Sequence, residues 1–217
     1  MRIVCDRQQT EEWDRWRARP TASEFGSFIT PVKGDYSKQA TAYACKIIAK
    51  RLGVYTEPPP SYWMEYGLEM EPNAKLAYEL LTKHTIQDVG FVLPDHTDAY
   101  GGSPDGLIGD EGIIEVKCPK PETLIEYHAA QRLPVQYQPQ VQGLLLITGR
   151  RYCDFMAFHP ELSPYICRVS CDWDYQAKIA DGLLRLLDEI ARIESRVQRC
   201  RHDLVSPVRD RMRWDDE

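Results

Sequence analysis

Two carboxylates and a lysine could do chemistry together in this chain. Ser103-Pro104-Asp105-Gly106 is followed at short range by Glu115-Val116-Lys117. On a strand, Glu115 and Lys117 project to one face while Ile114 and Val116 enter the core on the other. The turn Gly109-Asp110-Glu111-Gly112 would fold residues 106–108 back on 113–117 as a hairpin. That hairpin sets Asp105 across from Glu115 or Val116, the register depending on the loop. Two carboxylates converging beside a lysine repel one another when dry, unless a divalent cation sits between them. Hard oxygen donors of this kind suit magnesium or manganese. Such a centre can bind a phosphodiester oxygen and acidify a bound water for in-line attack, with Lys117 orienting the water and offsetting developing charge. The bare pattern arises by chance in roughly one chain in ten of this size, so a surface hairpin with solvated charges competes with the chemical reading.

The elements that must position these residues follow from periodicity. Ala40, Tyr43, Ala44, Ile47 and Ile48 mark a helix over 37–52, and Glu57-Pro58-Pro59-Pro60-Ser61 is a stiff loop within one domain. A helix over 62–81 is interrupted or restarted at Pro72. Residues 86–92 read as a strand, and Ala99-Tyr100 begins another. Pro119 and Pro121 end the second hairpin strand. Helices over 123–131 and 135–148 follow, the second stopping at Gly149, then strands over 151–158 and 165–170. The last element is an amphipathic helix over 173–201, with Ile179, Leu183, Leu186, Ile190, Ile193 and Val197 as a core or trimer contact. The sum is an α+β fold, a mixed central β-sheet flanked by helices. Residues 1–217 are expected to form a single domain with its core at about 13–170.

Composition narrows the partners only weakly. A net charge of -6 argues against a phosphate-rich partner, yet a basic channel can coexist with an acidic outer face. No run of about 18 apolar residues suggests a membrane span, so no membrane partner is expected. The opening MRIVCDRQQTEEWDRW carries charges where a signal peptide needs an apolar stretch, which points to the cytoplasm. The seven cysteines are odd in number and contain no C-x-x-C pair, so zinc and a disulfide framework are not expected. Reduced, mostly buried thiols are the expectation. The five histidines lack metal-ligand spacing.

Gly101-Gly102-Ser103-Pro104-Asp105-Gly106, Glu115-Val116-Lys117-Cys118-Pro119 and Tyr137-Gln138-Pro139-Gln140-Val141-Gln142 together resemble the phage lambda exonuclease, or YqaJ-type viral recombinase, family. Thr21-Ala22-Ser23-Glu24 and Tyr66-Gly67-Leu68-Glu69-Met70-Glu71 extend the likeness, which runs in family order from about Trp13 to Thr148. The resemblance implies a restriction-endonuclease-like core of the PD-(D/E)xK superfamily. It implies Asp105, Glu115 and the Val116 carbonyl as metal ligands, with Glu71 reaching the metal from its helix. Lys117 would position the water and Gln140 would support the site. Two magnesium ions, or manganese, are implied, and the late cysteines lack the close pairing an iron–sulfur cluster needs. Ser23 with Arg17 would hold a DNA 5′-phosphate; the spacing before Thr21 is one residue shorter than the family form, which favours Arg17 and leaves Arg19 as the alternative. Met64 or Trp63 would wedge between terminal base pairs, or else serve the core.

The activity so implied is 5′-to-3′ digestion of one strand of linear double-stranded DNA, giving 5′-mononucleotides and a 3′ single strand. A homotrimeric ring and a phage single-strand annealing protein are the implied partners, in a bacterial cytoplasm. The competing readings are a restriction-type endonuclease and a catalytically silent DNA-end-binding module.

Overall fold

A computed structural model describes the backbone of residues 1–210, with side chains through Arg199. Strands β1 (Arg2–Cys5) and β3 (Phe91–Leu93) form a small antiparallel sheet. Strands β2 (Ile86–Gln87), β4 (Gly106–Ile108), β5 (Gly112–Lys117), β6 (Tyr152–Ala157) and β7 (Tyr165–Ser170) form the main sheet in the order 2-4-5-6-7. Only β5 and β6 run parallel, so this sheet is mixed. The helices are α1 (Glu11–Trp16), α2 (Ala40–Arg51), α3 (Tyr62–Thr82), α4 (Pro121–Ala130), α5 (Gln138–Thr148) and α6 (Trp173–Asp210).

Alternation along the strands assigns the two faces. Leu107, Ile113, Cys153 and Phe155 point into a core shared with α2, α5, α6 and the 3-10 turn at Ala22–Ser27. Ile108, Ile114, Val116 and Met156 point the other way, onto Ala74 and Tyr78 of α3. The strand β5 therefore carries Glu115 into a buried layer, and Glu115 is only 1% exposed. A solvated surface hairpin is excluded by that burial.

Several expectations need correction. The strand expected over 86–92 is two strands in different sheets. Between them a Cβ on Gly90 would stand 2.6 Å from both the Cys5 carbonyl oxygen and the Arg7 nitrogen, so the backbones touch. Ala99-Tyr100 begins no strand; bridges form instead at Gly101 with Thr21 and at Gly102 with Val92. Helix α3 runs unbroken through Pro72, which removes one donor at a solvent-exposed position. Glu71 thus lies mid-helix and not in a first turn. The segment 135–148 divides into a 3-10 turn, Val135–Tyr137, and α5. Of the final stripe, Ile179, Leu183, Leu186 and Ile190 are buried while Val197 is 40% exposed. Of the six described cysteines, Cys5 and Cys153 are buried and Cys45 is exposed, so the thiols are less hidden than expected. Cys200 lies outside the described side chains. Among the described residues no helix is long and apolar enough to cross a membrane.

Candidate active site

The hairpin register decides where the carboxylates meet. Gly106 pairs with Ile114, and the Asp105 N–H donates to the Ile114 carbonyl at 3.1 Å, so Asp105 stands opposite Glu115. Its Oδ2 accepts from the Val116 N–H at 2.6 Å. Glu115 Oε1 accepts from both Lys117 Nζ and Gln140 Nε2. Glu115 Oε2 is buried and has no hydrogen-bond partner. Such an orphan is costly, because a buried acceptor that has lost water retains its desolvation penalty.

Electrostatics follows from this crowding. Burial pushes the Asp105 carboxyl well above the usual carboxylate range, and the Glu115 charge adds to it while Lys117 opposes. Burial also raises Glu115, again against Lys117. For Lys117 burial disfavours the ammonium, but Glu115 and Asp105 outweigh it and hold its pKa above the ordinary lysine value. The lysine is therefore a fixed cation between two carboxyls that resist ionising together.

Asp105, Val116, Lys117, Glu71 and Arg17 line one cavity of about 700 Å³, with Trp63 and Met64 in its wall. Neither Glu115 nor Gln140 lines it: Glu115 sits behind Lys117, to which it is bonded, and Gln140 bonds to Glu115. Glu71 comes from α3, where Lys75 Nζ holds its Oε1 at 2.8 Å and Asp88 at 2.9 Å. Among the described residues no three His, Cys, Asp or Glu side chains already form a metal cluster. The two crowded carboxyls and the orphaned Oε2 nevertheless have the donor chemistry of a hard divalent cation site.

The N-terminal segment is pinned to the Asp105 loop. Gly101 N–H donates to Pro20 at 3.1 Å and Ala22 N–H donates to Gly101 at 3.0 Å. Only glycine fits at this crossing, since a Cβ on Gly101 would lie 2.4 Å from the Phe91 ring and 2.6 Å from the Val92 oxygen. The Arg17 guanidinium stacks 4.2 Å from the Trp13 ring centroid, and Trp13 Nε1 donates to Ser103 Oγ at 2.7 Å. Arg19 turns away: it donates to the Trp16 and Asp98 carbonyls and lies over the Trp16 ring. Ser23 is exposed, with Oγ 3.4 Å from Thr21 Oγ1, and neither it nor Arg19 lines the cavity.

Trp13 was not foreseen as part of the site, although its i, i+4 spacing from Arg17 is a helical-face signal. Gln8, whose Nε2 donates to the Pro104 carbonyl at 3.1 Å, has no sequence signal we can name.

Comparison with known proteins places this geometry. A crystal structure of an alkaline exonuclease from Laribacter hongkongensis is 30% identical, with a TM-score of 0.81 over 90% of this chain and 100% of that one. The same enzyme in complex with dAMP gives 29% identity and the same TM-score and coverage. A phage-related exonuclease from Haemophilus somnus 129PT, 14% identical over 82% of this chain and 96% of its own, shares the fold with a TM-score of 0.61. No curated protein matches by sequence. The model of the YqaJ-like viral recombinase domain matches residues 12–151, from the start of α1 to the edge of β6. The chain belongs to the YqaJ-like viral recombinase family.

Proposed function

We propose that this protein is a DNA exonuclease of phage-type recombination that digests the 5′-ended strand of linear duplex, releasing 5′-mononucleotides and leaving a 3′ single strand. The observation that carries the reading is the buried Asp105–Glu115–Lys117 group, with its orphaned oxygen, at a cavity that Arg17 also lines. The exonuclease relative crystallised with dAMP supports the mononucleotide product.

Asp105, Glu115, the Val116 carbonyl and Glu71 would hold magnesium or manganese, two ions in all, which supply Lewis-acid activation of phosphate and water. The remaining work falls to the chain itself. Lys117, kept cationic by its carboxylate neighbours, orients the nucleophile and offsets negative charge developing on the phosphate. Gln140 fixes one Glu115 oxygen and so aims the other. Lys75 pairs with one oxygen of the Glu71 carboxylate and so limits its movement. Arg17, held flat by Trp13, can grip a terminal 5′-phosphate through two parallel N–H donors, with Ser23 as an auxiliary hydroxyl. Arg19 is already committed to backbone carbonyls and is the weaker candidate. Met64 or Trp63 in the cavity wall would wedge the last base pairs apart. The homotrimeric ring, the annealing-protein partner and the cytoplasmic setting rest on the family.

Digestion of linear duplex beside covalently closed circles tests the reading. Linear ends should disappear and closed circles persist; cleavage of closed circles would make the protein an endonuclease. Lys117→Ala should lower turnover by at least about a hundredfold while duplex binding persists. Normal digestion by that variant would remove Lys117 from the chemistry.

A further inference from the structure

The cavity wall continues outward into a cluster of rings, with Tyr62 and Trp63 exposed and Tyr66 and His159 half-buried. Tyr62 and Trp63 have ring centroids 5.2 Å apart, Trp63 and Tyr66 5.5 Å, and Tyr66 lies 6.2 Å from His159. Tyr62 is 68% exposed and Met64 62%, so apolar surface is displayed at the rim of the cavity that Met64 lines. The cluster is built in place. Ser61 caps α3 by accepting from the Met64 N–H at 3.3 Å, the preceding prolines stiffen the approach, and the rings brace one another.

We infer that these rings form a stacking surface for unpaired bases of the strand that is not digested. The inference rests on the nuclease reading. The scissile strand must descend to Asp105 past Trp63 and Met64, which line the cavity. Tyr62 and Tyr66 stand outside that lining, where they are placed to meet bases that do not enter the cavity. Charge agrees with a nucleic acid lying in one direction. Lys120 Nζ sits 5.3 Å from the Trp63 ring centroid and can meet a phosphate there. Glu69, about one turn on from Tyr66 along α3, and Glu161, two residues beyond His159, would repel phosphate on that side. The sugar–phosphate chain then follows the Lys120 side while bases face the rings, the pattern of sequence-tolerant single-strand binding.

The test measures binding of a fluorescent thymidine oligomer of about 12 nucleotides to the full chain in a chelator, where no hydrolysis occurs. Tyr62→Ala should weaken binding about tenfold, and Tyr62→Phe, which keeps the ring, should restore it to within about twofold. Unchanged affinity in Tyr62→Ala overturns the inference. So does an altered assembly mass in Tyr62→Ala by light scattering, because the ring would then be a subunit contact. Digestion of linear duplex with magnesium is scored separately. Normal digestion with ring-independent oligomer binding sinks the stacking surface alone. Ring-dependent binding without any digestion sinks the nuclease reading and leaves a single-strand-binding surface.

Discussion

Asp105→Asn should stabilise the protein in a chelator while removing its activity. The asparagine amide oxygen can still accept from the Val116 N–H, so the 2.6 Å hydrogen bond is retained. What disappears is one of two crowded like charges, in a site that already leaves Glu115 Oε2 unpaired. Relief of an uncompensated buried charge is worth on the order of 1–3 kcal/mol. For a chain of this size each kcal/mol moves Tm by about 2–4 °C, giving a rise of roughly 2–12 °C. The pH dependence has a definite sign. Both folded-state carboxyl pKa values are raised, so above the ordinary carboxylate value the folded chain holds more protons than the unfolded one. Wild-type stability in chelator therefore falls as pH rises from that value to the raised one, and the advantage of Asp105→Asn grows over the same span. Lys117 contributes fully below the ordinary lysine pKa and loses its contribution only above that, outside an assay range of about pH 5–9. Magnesium at a hundredfold its Kd should add about 2.7 kcal/mol to the wild type and little to the variant, closing or reversing the order. Differential scanning fluorimetry across that range reads all of this. An Asp105→Asn variant that melts below wild type in chelator at every pH would refute the electrostatic account.

Other expectations are simpler. Arg17→Ala should slow digestion of 5′-phosphorylated ends at least about tenfold and narrow the preference for them over 5′-hydroxyl ends, whereas Arg19→Ala should leave that preference intact; initial rates on the two substrates decide it. Trp13→Leu removes both the stack under Arg17 and the bond to Ser103, and should shift the same preference in the same direction by a smaller factor. Tyr78→Phe deletes a donor 2.6 Å from the buried Asp154 carboxylate, which Arg168 also holds, and should cost about 1.5–3 kcal/mol in urea denaturation.

The hairpin was legible because its alternation and its glycine turn are local. Gly109 takes a φ of +50° there, and the period-two pattern carries Glu115 and Lys117 to one side. Burial of that side was not legible, since it depends on α5 packing over the sheet from residues far along the chain. The same limit explains the split strand. Nothing near Gly90 shows that Cys5 and Arg7 will press against it, and β1 itself is a short run beginning at Arg2. Pro72 misled because its cost depends on the carbonyl one turn back, and on exposed helix surface water can take that carbonyl. At the site, Asp105, Glu115 and Lys117 had a physical case of their own. Glu71, Gln140 and Ser23 were readable only through the family likeness. Spacing favours Arg17 over Arg19; in the structure Arg17 lines the cavity beside Trp13, whereas Arg19 donates to backbone oxygens.

The proposed reaction is hydrolysis of DNA by the hairpin cluster, from a 5′-phosphorylated end and with a divalent cation. It is tested most directly with linear duplexes that carry or lack a 5′-phosphate, each strand labelled differently, with magnesium or with chelator. The account predicts loss of the 5′-ended strand as mononucleotides, faster with the phosphate, none in chelator, and an intact 3′-ended strand. Digestion that proceeds in chelator, or that consumes the strand from its 3′ end, would contradict it.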